Sequence, residues 1–431
     1  MAPRNLPAPQ LATRMLHADH ADHQADSTHP VAPPMSLSTT FRQPHPDSAL
    51  ASGVEKMMST PDKAPLHVYS RYTQDTNLRT ERVLSSLLSG HALTFSSGLA
   101  AAFAVLNYFA PSVIAIRRGY FGVHEAAEIY GRGRDVKIID LDDEYPAPCS
   151  ASADEKDGIR RGATLVWVET PLNPTGEARD LAHYVKLARN ANAYIAVDST
   201  FAPPPLQDPF QYNVDVVMHS GTKYMGGHSD VLAGVLCTQN YDQFRGLWHD
   251  RAAHGAVLGM LESYLLLRSL RTLSLRVTQQ SKTAAELVKW LHSLTAGQTP
   301  DPDTPKELTD GKVITHVWHS TLQPRSDYTT DADGHPEGRG FDPSSQMPNG
   351  GSPTFGMLVA TETMAVYLPH EVEYFTPATS LGGVESLMEQ RKISSPQEDS
   401  KLLRISTGIE AFADLKADLI RGMLTVLEQR R

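Results

Sequence analysis

The sequence predicts an α/β fold with a mostly parallel central sheet flanked by helices, followed by a smaller C-terminal α+β domain. Between residues 92 and 218, short apolar runs alternate with stretches of helical periodicity. Strands that are apolar along their whole length are typical of parallel sheets covered on both faces. Polar clusters directly follow several of these runs, which indicates a ligand site at the carboxyl ends of the strands.

The individual elements follow from hydrophobic spacing. Leucines and valines at helical spacing predict a helix over 77–88 that ends at Gly90, and an alanine-rich run predicts another helix after Gly98. The sheet region also predicts strands at 92–95, 113–116, 136–140, 164–169, 194–198 and 213–218 and helices at 122–130 and 181–190. The C-terminal region predicts one long helix from 262 toward Trp290, strands at 313–321 and 354–361, and an amphipathic helix over 412–427.

Three parts of the chain are predicted, namely an N-terminal arm and irregular segment (1–66), a large domain (67–260) and a C-terminal domain (261–431). Residues 1–30 are rich in Pro, Ala, His and Asp, which favours an extended arm over a packed unit. Prolines favour irregular structure over 43–66, and residues 68–72 are β-prone. A stretch rich in Gly, Pro, Asp and Ser predicts a surface-loop insertion at about 323–351.

Composition and charge narrow the class of protein. The 431 residues carry a formal net charge of -10, which argues against nucleic acid or an anionic membrane as a partner. Cys149 and Cys237 are too few for a disulfide framework, and no metal is expected from the spacing of the histidines. Those histidines are His17, His20, His23 and His29. Because we find neither a membrane-length apolar run nor a signal-peptide pattern, we expect a cytoplasmic protein.

A possible phosphate site follows the strand at 92–95. The strand leads into Ser96-Ser97-Gly98 and then into an alanine-rich helix, so free backbone N–H groups and the helix dipole could bind a phosphate. A capped helix with a tight turn is the alternative interpretation. No G-x-G-x-x-G or Walker pattern is present, so a nucleotide is not indicated.

Lys223 is the leading candidate for a reactive side chain. It lies in the segment 218–230, just after an apolar strand, where poor solvation lowers the pKa of a lysine and favours the free amine that imine formation requires. Ser220 and Thr222 flank it at a spacing that suits an oxyanion such as a phosphate. Alone, the segment could also be a surface lysine in a polar turn.

Four polar clusters fall at predicted strand ends and are therefore expected to converge on one site. They are Ser97-Gly98, the segment 169–174, the segment 198–200, and Ser220 to Lys223. Tyr120 follows the strand at 113–116. Packing alone does not account for this convergence, which indicates a shared ligand.

Nearly the whole chain resembles the Cys/Met-metabolism family of pyridoxal-phosphate (PLP) enzymes, which includes cystathionine γ-synthase, the cystathionine lyases and methionine γ-lyase. The most specific motifs are Ser220-Gly221-Thr222-Lys223-Tyr224, Gly227-His228-Ser229-Asp230, Phe95-Ser96-Ser97-Gly98, Glu169-Thr170-Pro171 with Asn173-Pro174, and Ser380-Leu381-Gly382-Gly383. The resemblance implies a fold-type I PLP-dependent transferase fold, pyridoxal 5'-phosphate as cofactor and an amino acid as substrate.

The resemblance also implies roles for individual residues. Lys223 would hold the cofactor aldehyde as a Schiff base and shuttle protons, and Asp198 would keep the ring nitrogen protonated. Tyr120 would stack on the ring and act in catalysis. Gly98, Leu99, Ser220 and Thr222 would bind the phosphate, Thr200 and Asn173 would lie beside the ring, and Asn173, Ser380 and Arg404 would bind the substrate, with Arg404 gripping its carboxylate bidentately.

Tyr69 and Arg71 match family residues that reach the phosphate of the neighbouring subunit. The resemblance therefore implies a homodimer or homotetramer with shared active sites. The surrounding segment 70–77 departs from the family pattern, and so do Phe121 and Val123, which add bulk near the ring. Thr379 stands where many γ-enzymes have a glutamate, so the reaction type is open at this stage.

Family chemistry suggests several activities. The leading hypothesis is a cystathionine γ-synthase-like γ-replacement on an activated homoserine ester, because Ser380-Leu381-Gly382-Gly383 resembles the γ-type members. Elimination by a cystathionine β- or γ-lyase is the first alternative, and Thr379 argues against a γ-type enzyme. A non-catalytic PLP-fold regulatory protein and a PLP aminotransferase are alternatives of other classes.

Overall fold

Two large β-sheets form the framework of the computed structural model, which describes residues 8–19, 31–146, 159–324, 329–330, 336–337 and 341–429. The helices are α1 (Leu11–His17), α2 (Gly53–Ser59), α3 (Asp75–Leu88), α4 (Gly98–Phe109), α5 (Phe121–Gly131), α6 (Leu181–Asn190), α7 (Tyr241–His254), α8 (Met260–Leu270), α9 (Leu273–Ser293), α10 (Pro343–Gln346), α11 (Glu362–Glu371), α12 (Arg391–Ser394) and α13 (Phe412–Gln429). The strands are β1 (His91–Phe95), β2 (Val113–Ala115), β3 (Lys137–Ile139), β4 (Thr164–Glu169), β5 (Tyr194–Asp198), β6 (Val216–Ser220), β7 (Gly234–Thr238), β8 (Ile314–Trp318), β9 (Thr329–Thr330), β10 (Pro336–Glu337), β11 (Thr354–Val359), β12 (Phe375–Pro377), β13 (Ser386–Gln390) and β14 (Leu402–Ser406).

The first sheet has seven strands in the order β1-β7-β6-β5-β4-β2-β3. Its strands from β6 to β3 run parallel, whereas β7, which we did not predict from the sequence, is antiparallel to both of its neighbours. Every residue of β4 and β5 is buried, and successive side chains pack on opposite faces of the sheet. Val166 and Val168 belong to one apolar cluster and Leu165 and Trp167 to another, so the predicted parallel sheet with two covered faces is confirmed.

The second sheet has five strands in the order β12-β13-β14-β11-β8. Helices α9, α11 and α13 cover it, and a third apolar cluster fills the space between them. Strands β13 and β14 are antiparallel, and their register places Glu389 opposite Arg404. The predicted smaller α+β part is thus present, and its strand register brings two charged side chains together.

The N-terminal prediction of an extended arm is wrong for residues 11–19. These residues form α1, which packs against α3, and the turn that follows it. Met15 and Asp19 are buried. Both carboxylate oxygens of Asp19 accept hydrogen bonds from Arg271, at 2.8 and 2.9 Å. Residues 1–7 and 20–30, and with them His20, His23 and His29, lie outside the described residues.

Other local predictions also need correction. The helix predicted from 262 ends at Leu270, because the amides of Arg271 and Thr272 donate to carbonyls only three residues back, and α9 then begins at Leu273. Residues 53–59 are helical where we expected irregular structure. The β-prone segment 68–72 forms only an isolated bridge between Thr40 and Tyr69.

Residues 325–328, 331–335 and 338–340 of the predicted insertion at 323–351 lie outside the described residues, and its described part includes β9, β10 and α10. Within the portion of the chain that the structure covers, no helix is long and apolar enough to cross a membrane. The same residues contain no group of three or more His, Cys, Asp or Glu side chains that could hold a metal ion.

Candidate active site

A cleft of about 440 Å³ opens beside the carboxyl ends of β4, β5 and β6 and the N-terminus of α4. Its size falls in the range of small-molecule sites. The predicted site residues that line it are Gly98, Leu99, Tyr120, Asn173, Asp198, Thr200, Ser220, Thr222, Lys223, Ser380 and Arg404. The fold therefore brings together all of the predicted site residues except Tyr69 and Arg71.

The N-terminus of α4 has the geometry of an anion site. Ser97 caps the helix, its hydroxyl accepting from the amide of Ala100 at 3.0 Å. The amides of Gly98 and Leu99 come first in the helix, where helix geometry provides no intrahelical acceptor. A Cβ on Gly98 would lie 3.0 Å from Oγ of Ser220, so glycine allows this close approach. These donors and the adjacent hydroxyl suit a phosphate.

The two hydroxyls beside Lys223 are not equivalent. The Thr222 hydroxyl donates to the carbonyl of Ala233 at 3.2 Å and accepts from the amide of Ala233 at 3.0 Å. Thr222 therefore joins the loop to the start of β7 and would have to rotate to reach a phosphate. Ser220 lies next to Gly98 and is the better placed of the two hydroxyls.

Asp198 ends β5 and is buried. Its Oδ1 accepts from the amide of Thr200 at 3.0 Å and from the hydroxyl of Thr200 at 2.5 Å. Burial raises the pKa of Asp198, while these two hydrogen bonds from Thr200 oppose the increase. The same hydroxyl accepts from the amide of Ser220 at 2.8 Å, so Thr200 connects the carboxylate with the loop that carries Lys223.

Glu169 organises the opposite wall, a role that we did not predict from the sequence. Its two carboxyl oxygens accept from the amides of Tyr120 and Asn173, each at 2.7 Å. Burial and the nearby Asp198 raise the pKa of Glu169. A Cβ on Gly119, where φ is +87°, would lie 2.4 Å from this carboxylate. The sequence placed Glu169 in a polar cluster at a strand end and in a family motif, but neither observation assigned it a role.

The amine of Lys223 lies in the cleft and donates to the hydroxyl of Ser380 at 2.6 Å. Burial, helped by the positive charge of Arg404, lowers the pKa of Lys223 to about 8. At pH 7 roughly a tenth of this amine is therefore unprotonated, far more than for a solvated lysine, and the unprotonated form is the one that a nucleophilic lysine requires. Ser380 has a φ of +86°, an uncommon conformation for a serine that directs it toward the cleft wall.

Arg404 extends from β14 and is buried. One terminal nitrogen donates to Oδ1 of Asn173 at 3.1 Å. The other donates to the carbonyl of Ser380 at 2.9 Å and to Oε2 of Glu389 at 2.8 Å. These contacts fix the guanidinium plane at the side of the cleft formed by the second sheet.

The structure adds Arg391 to the residues that line the cleft, and Glu389 lies behind it. Both side chains are buried, and Arg391 donates to Oε2 of Glu389 at 2.9 Å. We did not predict either residue, because their convergence with Arg404 depends on the register of β13 and β14.

Tyr69 and Arg71 do not line the cleft of their own chain. Arg71 donates to the carbonyl of Ala252 at 2.6 Å, and its guanidinium lies 5.7 Å from the centroid of the Tyr69 ring. Tyr69 is 42% exposed. Neither residue therefore contributes to this cleft from within the same chain.

One cofactor chemistry matches the three polar regions of the cleft. An anion fits the α4 N-terminus, a basic ring nitrogen fits the Asp198 carboxylate, and an aldehyde fits the amine of Lys223. Pyridoxal 5'-phosphate carries all three groups. The fold and the cleft thus define a fold-type I PLP-dependent enzyme.

The family is established by sequence. The family model described as Cys/Met metabolism PLP-dependent enzyme matches residues 12–299, and the chain belongs to this family. It is 32% identical to cystathionine γ-synthase from Mycobacterium leprae, with 96% of each chain covered. It is 28% identical to cystathionine β-lyase from Coxiella burnetii, with 97% of this chain and 99% of the relative covered.

Comparison with solved structures supports the same family assignment. The crystal structure of cystathionine γ-lyase from yeast matches with a TM-score of 0.75 and 26% sequence identity, covering 98% of this chain and 99% of that one. Relatives of three different activities thus resemble the chain to similar degrees. The comparisons support a PLP-dependent enzyme of sulfur amino-acid metabolism, against the regulatory, non-catalytic alternative.

Proposed function

We propose that the protein catalyses a cystathionine γ-synthase-like γ-replacement, in which an activated homoserine ester loses its acyloxy group and a thiol or another nucleophile takes its place. The observation that carries the proposal is the amine of Lys223, whose pKa is lowered to about 8 and which hydrogen-bonds Ser380 within the cleft. A γ-replacement removes protons at Cα and then at Cβ. A single base whose unprotonated form is accessible near neutral pH, and which Ser380 positions in the cleft, suits both steps.

The proposed cofactor site uses residues of the first sheet. Lys223 anchors the cofactor, Gly98, Leu99 and Ser220 hold its phosphate, and Asp198 holds its ring nitrogen. Bound PLP supplies an electron sink for carbanion chemistry at the substrate. Asp198 serves that chemistry by remaining ionised, which the two hydrogen bonds from Thr200 favour.

The proposed substrate site faces the second sheet. Arg404 holds the α-carboxylate, and Asn173 orients the guanidinium through the 3.1 Å hydrogen bond to its side-chain oxygen. Ser380 lies between Arg404 and Lys223, contacting the first through its carbonyl and the second through its hydroxyl. The carboxylate and the base are therefore held through the same residue.

Tyr120 is the proposed proton donor to the leaving group. Burial raises the pKa of its phenol, so the side chain stays protonated at neutral pH. Its backbone is fixed by Glu169, and its ring stands at the mouth of the cleft, 39% exposed. A departing thiolate would take up the phenolic proton there, whereas a departing carboxylate is a stable anion that needs only a hydrogen bond from the phenol.

Elimination by a cystathionine β- or γ-lyase is the second candidate. Thr379 favours the β-lyase, because this cleft residue is a glutamate in many γ-enzymes, and both kinds of lyase are among the relatives. Incubation with O-acetylhomoserine plus cysteine, and separately with cystathionine, distinguishes the two. We expect a replacement product from the first mixture, and keto acid with ammonia but no replacement product would refute the proposed reaction. Lys223→Ala is the inactive control.

We also propose a homodimer or homotetramer in which Tyr69 and Arg71 reach the cofactor phosphate of a neighbouring copy. The absence of both side chains from the cleft of their own chain supports this arrangement. Lys223→Ala and Arg71→Ala variants, each impaired alone, should regain activity when unfolded and refolded together, because mixed assemblies contain one intact site. No recovery in assemblies whose mixed composition is verified would refute the shared site.

A further inference from the structure

A second arginine accompanies Arg404 in the substrate half of the cleft. Arg391 directly follows β13, lines the cleft and has a side chain only 4% exposed. Its terminal nitrogens donate to Glu389, to Ser394 at 2.9 Å and to Ser395 at 3.1 Å. Its Nε has no hydrogen-bond partner among the residues that the structure describes. A buried guanidinium with an unused donor is poised for a ligand.

Arg391 and Arg404 both donate hydrogen bonds to the same carboxylate oxygen of Glu389. Oε2 accepts from Arg404 at 2.8 Å and from Arg391 at 2.9 Å. Two cations therefore share one anion, which leaves this buried cluster with a surplus of one positive charge. An uncompensated buried charge is costly, so the cluster favours a single additional anion. The mutual repulsion of the arginines contributes, after burial, to lowering the pKa of Arg404 to about 10.

We propose that Arg391 and Arg404 together bind the α-carboxylate of the substrate, with Glu389 as their shared internal counter-ion. This inference rests on the proposed function and deepens it, since it assigns a second carboxylate-binding residue to the same site. A single carboxylate balances the surplus charge, and the guanidinium groups of the two arginines converge on one oxygen. A carboxylate between them would receive charge-assisted hydrogen bonds from both.

The other residues that line the cleft explain why we do not expect the substrate to carry a second anionic group in addition to its α-carboxylate. Thr379, Leu381 and Phe121 also line the cleft and are uncharged. Among the other charged residues of the cleft lining, Asp198 and Lys223 serve the cofactor, and the raised pKa of Glu169, about 8, favours its neutral form at neutral pH. A second anion on the substrate would therefore exceed the available positive charge.

The test measures the preference of the enzyme for O-acetylhomoserine over its α-carboxamide, in which the carboxylate charge is absent. The preference is compared between the wild type and the variants Arg391→Met and Arg391→Lys. Lys392→Met is the matched control, because it removes a positive charge from the adjacent residue, whose side chain is 49% exposed and pairs with Glu362. We expect the wild type to prefer the acid, and Arg391→Met to reduce that preference by roughly tenfold to hundredfold, mainly through KM. Arg391→Lys should retain part of the preference, and Lys392→Met all of it.

Two outcomes would overturn the proposal. If Arg391→Met lowers the stability of the protein but leaves the preference for acid over amide unchanged, Arg391 is structural. If it selectively impairs O-succinylhomoserine relative to O-acetylhomoserine, Arg391 recognises a distal anion. Direct binding of L-methionine and L-methioninamide to the holoenzyme, measured by calorimetry, repeats the comparison without turnover. This assay tests Arg391 even if the γ-replacement itself fails, so the two failures are distinguishable.

Discussion

Replacing Lys223 with methionine should stabilise the enzyme from which the cofactor has been removed. The folded protein lowers the pKa of Lys223 from 10.5 to about 8, mainly through burial. Below pH 8 this lysine is protonated in both the folded and the unfolded state, so the folded state bears the full cost of burying the charge. Methionine has a similar length and no charge, and therefore removes that cost.

The magnitude follows from the pKa difference. At 1.36 kcal/mol per pKa unit, the shift from 10.5 to about 8 corresponds to about 3 kcal/mol. The variant also loses the 2.6 Å hydrogen bond to Ser380, which is worth about 1 kcal/mol. We therefore expect a net gain of roughly 2 kcal/mol in the free energy of unfolding at pH 7.

The sign of the pH dependence makes the prediction specific. Between pH 8 and 10.5 the unfolded state binds the Lys223 proton while the folded state releases it, so the wild type becomes more stable as pH rises. The advantage of Lys223→Met should therefore shrink across this interval and vanish above it. Denaturant unfolding of both apoproteins at a series of pH values measures the difference, with Lys392→Met as the control. A difference between Lys223→Met and wild type that does not change from pH 7 to pH 10.5 would refute the reasoning.

Three further predictions concern the site and the N-terminal segment. Thr200→Val removes the 2.5 Å hydrogen bond that opposes the raised pKa of Asp198, so the acid limb of the pH–rate profile should move to higher pH. Arg404→Lys replaces a planar fork by a point charge and should raise KM for the amino-acid substrate roughly hundredfold, as steady-state kinetics would measure. Asp19→Asn removes the buried negative charge that pairs with Nη2 of Arg271 and should lower the free energy of unfolding by about 3 kcal/mol in denaturant titrations.

Each of these three predictions has a clear contrary result. An acid limb unmoved in Thr200→Val would mean that ionisation of Asp198 does not limit the reaction. An unchanged KM in Arg404→Lys, with the protein fully folded, would remove Arg404 from carboxylate binding. An Asp19→Asn variant as stable as wild type would mean that α1 contributes nothing through its ion pair.

The sequence correctly predicted the position of polar residues that lie at the ends of strands. Asp198 and Ser220 end buried parallel strands, and parallel topology carries such residues to one edge of the sheet. The lowered pKa of Lys223 also agrees with the expectation, because burial next to an apolar strand is readable from the sequence. These features depend on local pattern and on one general rule of sheet architecture.

The features that we did not predict from the sequence depend on contacts between residues that are far apart in the chain. Glu169 gains its importance from the approach of the Tyr120 amide, 49 residues away, which no local pattern specifies. Glu389, Arg391 and Arg404 meet because two antiparallel strands adopt one register, and a shift by one residue would turn Glu389 to the opposite face. The helix α1 likewise was read as an extended arm because its anchor, Arg271, lies more than 250 residues away.

The placement of the cleft between two sheets separates two kinds of change in evolution. On the proposed assignment, residues on and next to the first sheet secure the cofactor, whereas Arg404 of β14, Ser380 before β13 and Arg391 after β13 select what reacts. Substitutions on one sheet can then alter the reaction without weakening the grip of the other on PLP. Such modularity is consistent with the similar identity of the chain to a synthase and to two lyases. It also makes residues 379–394 the preferred target for redirecting the reaction by mutagenesis.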